Sequence, residues 1–183
     1  MHHPRDGEYR EQCEWGRPDR RGVEWRVQTQ MARAILFGGL IVGVLDLLDA
    51  FIFFGLRSGA QPVGILHSIA AGAIGRDAAR AGGAQTAALG VLLHFTIACI
   101  ITAVYVAASR FLPVLRERWV LCGMAFGVLA YFVMTFVVVP LSNAGPGRIT
   151  FSLPVAPVLL NGLAIHAFGV GLPAAYFAAR MRR

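Results

Sequence analysis

Four long apolar runs are the feature of this 183-residue chain that most restricts its fold. They cover residues 33–57, 86–109, 119–141 and 156–179. A helix needs about 20 consecutive apolar residues to cross the hydrocarbon core of a bilayer, and each run is about that long. Polar residues do not recur at every second turn of these runs, as they would in a water-soluble bundle. The sequence therefore predicts an all-α integral membrane protein built as a bundle of four transmembrane helices.

The segments outside the runs complete this organisation. Residues 1–32 are charged and poor in aliphatic side chains, which predicts a disordered basic tail rather than a cleaved signal peptide. Residues 62–75 carry an apolar helical stripe, with Pro62 suited to a first helical turn and Gly75 to a helix end. Some 12 helical residues rise only about 18 Å, which is too short to span. We expect this segment to lie in the outer interface or to re-enter the membrane partway.

The basic residues predict the orientation of the chain. All 17 are arginine, and the four on the side of the first and third connections are Arg57, Arg76, Arg80 and Arg148. The others belong to the two terminal segments and the middle connection, so the positive-inside rule places both termini in the cytoplasm. Membrane topology accounts for the net charge of +7 without a nucleic-acid partner. The lipid bilayer is the expected surrounding.

Ionisable side chains occur inside three of the four runs. Asp46 and Asp49 interrupt the first, in VLDLLDAF, and His94 and His166 lie in the second and fourth. Asp46 and the two histidines lie on stripes of small residues, which let helices approach closely, so they are expected to face protein. At about 1.5 Å rise per residue, all four share one layer near the middle of the bilayer. The sequence predicts one intramembrane polar cluster.

Three roles for this cluster follow from its chemistry. Hydrogen bonds between Asp and His can fix the register of the helices. The same groups can hold a mobile proton, which suits a proton-linked or pH-responsive protein, since ionisable residues within a membrane are functional candidates by default. Alternatively, His94 and His166 can bind haem or a transition metal, with Asp49 as a ligand or as an orienting group. The cofactor and the ligand stay open.

Enzyme motifs are lacking in the sequence, and no catalytic residue is predicted. We find no nucleotide-binding glycine loop, zinc-binding HExxH or nucleophile elbow. These observations favour a non-enzymatic protein that acts alone or as a subunit of a larger membrane complex.

Two pairs of glycines have the four-residue spacing that brings helices close together. They are Gly39 with Gly43 in the first run, and Gly123 with Gly127 in the third. Both pairs are predicted to lie in helix-packing faces, and either can support a homodimer.

Residues from about 90 to 180 resemble the YagU-like family of small bacterial inner-membrane proteins. The resemblance rests on a membrane histidine, the segment VYVAASRFLP, a glycine-containing third span ending in VVVPLS, and a second membrane histidine: His94, Tyr105, Pro113, Gly123, Gly127, Pro140, Leu141 and His166. It implies a multi-span protein of the bacterial inner membrane and points to the two histidines. It does not extend to the first span, so it implies nothing for the aspartates.

Overall fold

The computed structural model describes residues 20–149 and 151–181, and the regular structure in these ranges is helical throughout. Four of its helices are long and apolar enough to cross a membrane, so the prediction of an all-α four-helix bundle is confirmed. The helices are α1 (Arg20–Ser58), α2 (Pro62–Ile74), α3 (Arg76–Ala81), α4 (Gly83–Phe111), α5 (Val114–Glu117), α6 (Trp119–Leu141) and α7 (Ala156–Ala179).

The first helix begins earlier than the sequence predicted. Disorder was expected through residue 32, whereas α1 begins at Arg20; residues 1–19 lie outside the described residues. After Gly22 the segment up to the first apolar run has neither glycine nor proline, so its backbone can continue the helix without a break. Its side chains are largely exposed, which explains why an apolar pattern did not reveal it.

The tightest packing lies in the half of the bundle that contains the two ends of the described chain. There α1 packs against α4 and α7, and α6 packs against α7. Tyr105 is fully buried, donates a 2.8 Å hydrogen bond to the Leu115 carbonyl, and meets the Phe126 ring edge-on. We call this the packed half; its buried apolar residues are Ala34, Val42, Ala98, Tyr105, Val106, Val170, Ala174, Ala175 and Ala178.

The glycines of the predicted packing faces all make close approaches within the chain. A β-carbon at Gly39 would lie 2.7 Å from the Cys99 α-carbon, and one at Gly43 would lie 2.6 Å from the Phe95 ring. Gly123 and Gly127 lie equally close to the backbone of α7. These contacts hold α1 against α4 and α6 against α7 within one chain.

The opposite end of the bundle carries a cap formed by α2 and α3. The predicted short helix at residues 62–75 is present as α2, which lies against α4. His67 Nε2 lies 2.9 Å from the Gly83 carbonyl, at the start of α4. On the other side, Arg76 donates from Nε and Nη2 to the Ala144 carbonyl, at 3.1 and 2.7 Å. The Asn143 amide donates to the Gly72 carbonyl at 3.0 Å. The cap thus links α4 to the loop that follows α6.

Candidate functional site: a cavity that ends at Asp46, His94 and His166

A cavity of about 870 Å³ lies beneath the cap, between α1, α4, α6 and α7. Its walls are mostly apolar, and its volume falls within the range of roughly 300–1,000 Å³ typical of small-molecule sites. It occupies the half of the bundle opposite the packed half, which we call the cavity half. The polar residues of its lining gather at two places, the cap and the base.

Asp46 lies at the base, between two imidazole rings. One carboxylate oxygen, Oδ2, is 4.0 Å from His94 Nε2, and the other, Oδ1, is 4.0 Å from His166 Nδ1. These distances exceed those of hydrogen bonds, but charges this close interact strongly where water is scarce. The side chains of Asp46, His94 and His166 are 27%, 13% and 16% exposed, so all three retain limited contact with the cavity.

His94 is held by the backbone of the first helix. Its Nε2 lies 2.9 Å from the carbonyl oxygen of Gly43. A carbonyl only accepts, so Nε2 carries a hydrogen and donates it, which fixes the tautomer of the neutral ring. Gly43 makes this contact accessible because it has no side chain between α1 and α4. The imidazole of His94 is therefore oriented by the same helix that carries Asp46.

His166 is less well satisfied. Its Nδ1 is buried and makes no hydrogen bond of good geometry within the described part of the chain, although the ring interacts with the Gly162 backbone one turn earlier. A buried polar atom in that state costs on the order of 1–3 kcal/mol. A small movement of Asp46 Oδ1, now 4.0 Å away, would supply the missing bond. The ring also packs edge-on against Tyr131, with centroids 5.2 Å apart.

Each of the two helices opposite α1 and α4 contains a π-helical segment beside the cavity. In α6 it covers Met134–Val138, and in α7 it covers His166–Gly171, beginning at the site histidine. Met134, Val138, His166 and Val170 all line the cavity. Such segments are uncommon in proteins and are frequent at functional sites, where they redirect side chains within a helix.

Asp49 belongs to a different local arrangement. Its Oδ2 accepts a 2.7 Å hydrogen bond from Asn161 Nδ2, and both residues line a second, shallower pocket together with Arg57. The four residues predicted to form one cluster are therefore only partly brought together: the charge of Asp49 acts on His166, but its hydrogen bond is to Asn161. The structure brings Asp46, His94 and His166 together and pairs Asp49 with Asn161. Sequence reasoning considered only ionisable groups and missed Asn161, although an amide within a span also needs a partner.

The metal-binding alternative does not fit these residues. Within residues 20–149 and 151–181, no three or more His, Cys, Asp or Glu side chains form a group that could hold a metal ion. In the set proposed from the sequence, Asp49 is bonded to Asn161, and His94 Nε2 is directed at the Gly43 carbonyl. The expected His94, His166 and Asp49 set is thus not assembled.

Fold and site together define a multi-pass helical membrane protein with a polar centre at the end of a cavity. No family model, curated protein or solved structure matches the chain.

Proposed function

We propose that this protein is a non-enzymatic, pH-linked protein of the bacterial inner membrane that binds an exchangeable proton at Asp46, His94 and His166. The arginine distribution supports an orientation with both termini in the cytoplasm, so the cap faces outward. The resemblance of residues 90–180 to the YagU-like family is the reason for proposing a bacterial inner membrane.

The observation that carries the proposal is the position of Asp46, 4.0 Å from a nitrogen of each histidine. An ionised carboxylate within a membrane costs several kcal/mol unless it is paired or wetted. One proton bound anywhere among these groups brings their net charge to zero. Binding and release of that proton therefore change the charge of the site, and the cavity provides a route for the exchange.

Two features favour a protonation site over a purely structural link between helices. The 4.0 Å separations leave the carboxylate free to approach either ring, whereas a register-fixing bond would be short. Asp46 also lines the cavity. Beyond it lie the buried side chains of the packed half, so proton exchange is expected from the capped side alone.

The test uses nitrogen-15 spectra of the histidine rings, recorded on the purified protein from about pH 5 to 8, the range in which histidine charge usually changes. We expect the ring signals of His94 and His166 to change with pH, and Asp46→Asn to alter this response in both. Asp77→Asn is the matched control, because Asp77 is an exposed aspartate on α3 outside the cavity lining. His67, at the cap, is an internal reference. Ring signals that do not respond to pH, or that are unaffected by Asp46→Asn, would refute the proposal.

A further inference from the structure

The cap places two arginines over the apolar cavity. Arg76 and Arg80 are four residues apart on α3, so they share one face of that helix, and both line the cavity. We infer that the cavity binds an amphiphile with one anionic headgroup, held by Arg76 and Arg80, with its hydrocarbon chain along the cavity walls. The headgroup site is at the opposite end from Asp46, so this inference does not depend on the proposed proton binding.

The two positive charges at the cap favour an anionic ligand group. The guanidinium of Arg76 is partly occupied by the Ala144 carbonyl, and Arg80 makes no hydrogen bond or ion pair with any other described residue. Asp46 is the acidic residue in the described lining, and it lies at the base. Thr86 of α4 donates to the Ala79 carbonyl, next to Arg80, and the rise of α4 from Thr86 to His94 separates this part of the cap from the base by about 12 Å. The carboxylate therefore cannot neutralise the arginines directly.

The apolar walls of the cavity favour a hydrocarbon chain as the rest of the ligand. They are formed mainly by aliphatic and aromatic side chains of α1, α4 and α6, among them Phe54, Leu93, Ile97, Ile101, Val138 and Val139. A small free anion would leave these walls uncovered, and an uncharged hydrocarbon would leave the arginines without a partner. An amphiphile satisfies both parts of the cavity at once.

The packing of the helices supplies a route of entry. In the cavity half, α4 packs against α1 and α2, α6 packs against α7, and α1 also contacts α7. The separation between packed helices is therefore on the side of α4 and α6, both of which line the cavity, and the cap bridges them above. A single-chain amphiphile from the bilayer can enter along this separation with its headgroup at the level of the cap.

The test measures binding of radiolabelled palmitate to the full-length protein in phosphatidylcholine nanodiscs. Hexadecanol has the same chain without the charge, and inorganic phosphate has charge without the chain. We expect palmitate to bind, and both competitors to displace it at least about tenfold less well, because each loses one of the two interactions. Equal displacement by hexadecanol would overturn the anion site, and equal displacement by phosphate would overturn the role of the walls.

Two variants, each with a matched control, test where in the cavity palmitate binds. Arg80→Gln should weaken palmitate binding about tenfold through loss of a charge-assisted hydrogen bond, whereas Arg148→Gln, at an exposed arginine outside the cavity, should not. Gly64→Leu should abolish binding, because Gly64 lines the cavity and a β-carbon there meets no atom within 4 Å, leaving the new side chain to fill the space. Ala78→Leu adds the same side chain outside the cavity.

Arg80→Gln separates this inference from the proposed function. It should weaken palmitate binding while leaving the pH response of the His94 and His166 signals unchanged, because Arg80 lies at the cap and those histidines lie at the base. Unchanged binding in both Arg80→Gln and Gly64→Leu, each with wild-type helix content, would refute the inference.

Discussion

The same four helices pack closely in one half of the bundle and surround a cavity in the other half. In the packed half, alanines and glycines at the contacts bring the backbones together, and Ala174, Ala175 and Ala178 are fully buried. In the cavity half, the same helices carry Asp46, His94 and His166 around an open volume of about 870 Å³. The π-helical segments of α6 and α7 lie beside the cavity, where the close packing of the other half ends. Close packing is thus a local property set by a few small residues: it recurs in the cap, where Ala70, Ala71 and Ala79 are buried, and is lost around the cavity.

The strongest test of this contrast is a methyl group added to each half. In the packed half, Gly123→Ala puts a β-carbon 2.7 Å from the Ala175 β-carbon and 2.8 Å from the Gly171 carbonyl oxygen, against atoms that cannot move aside. We expect a loss of about 3 kcal/mol in the free energy of unfolding. Gly64→Ala, in the cavity half, meets no atom within 4 Å and should change stability by less than about 1 kcal/mol, in the stabilising direction. Unfolding in mild detergent, followed by circular dichroism, compares them; equal losses would remove the distinction.

The Asp49–Asn161 pair tests whether polar groups in the cavity half also hold helices together. Asn161→Ala removes the 2.7 Å donor to the Asp49 carboxylate and should cost about 2 kcal/mol, the range of a hydrogen bond to a charged group. In an Asp49→Ala background the same change should cost little, because the acceptor is already gone. A full cost in that background would show that Asn161 stabilises the bundle by another contact.

Tyr105 measures the contribution of a single polar contact in the packed half. Tyr105→Phe keeps the ring against Phe126 but removes the hydroxyl that donates to the Leu115 carbonyl, so unfolding should become easier by about 1 kcal/mol. Tyr176→Phe, at an exposed tyrosine, is the control and should be neutral. The same equilibrium unfolding measurement decides; no difference between the two variants would contradict the assignment.

The smallest effect on stability is expected at the cap. Arg76→Gln removes the two guanidinium bonds to the Ala144 carbonyl, which lie at the surface, so global stability should change by less than about 1 kcal/mol. Local opening should nevertheless increase. Hydrogen exchange should accelerate at the Asn143 amide, which is bonded to Gly72, and remain unchanged in the packed half. Acceleration throughout the chain would mean that the cap supports the whole bundle.

Much of the fold could be predicted because the length of an apolar run can be compared directly with the thickness of a membrane. The last two spans were predicted at their observed bounds, Trp119–Leu141 and Ala156–Ala179. The start of α1 could not be found in this way, because its exposed polar turns have no apolar periodicity. The short cap helix was also predicted, but its attachment to the loop after α6 depends on tertiary packing that no local pattern encodes.

The site could be predicted only in part. Helical spacing and depth brought Asp46, His94 and His166 to one layer, and the structure has them within 4.0 Å contacts. The same reasoning included Asp49, three residues after Asp46, whose displacement around the helix is enough to direct it to Asn161 instead. No pattern in the sequence indicated the cavity, because its volume depends on which pairs of helices do not pack against each other.

The closed end of the cavity decides what such a protein can sense. A pocket that communicates with one compartment comes to equilibrium with that compartment, and its occupancy follows the local concentration of proton or amphiphile there. The occupancy of such a pocket does not depend on the concentration difference across the bilayer. Passage of a solute from the cavity to the other side of the membrane would require the buried layer around Tyr105 and Ala174 to part.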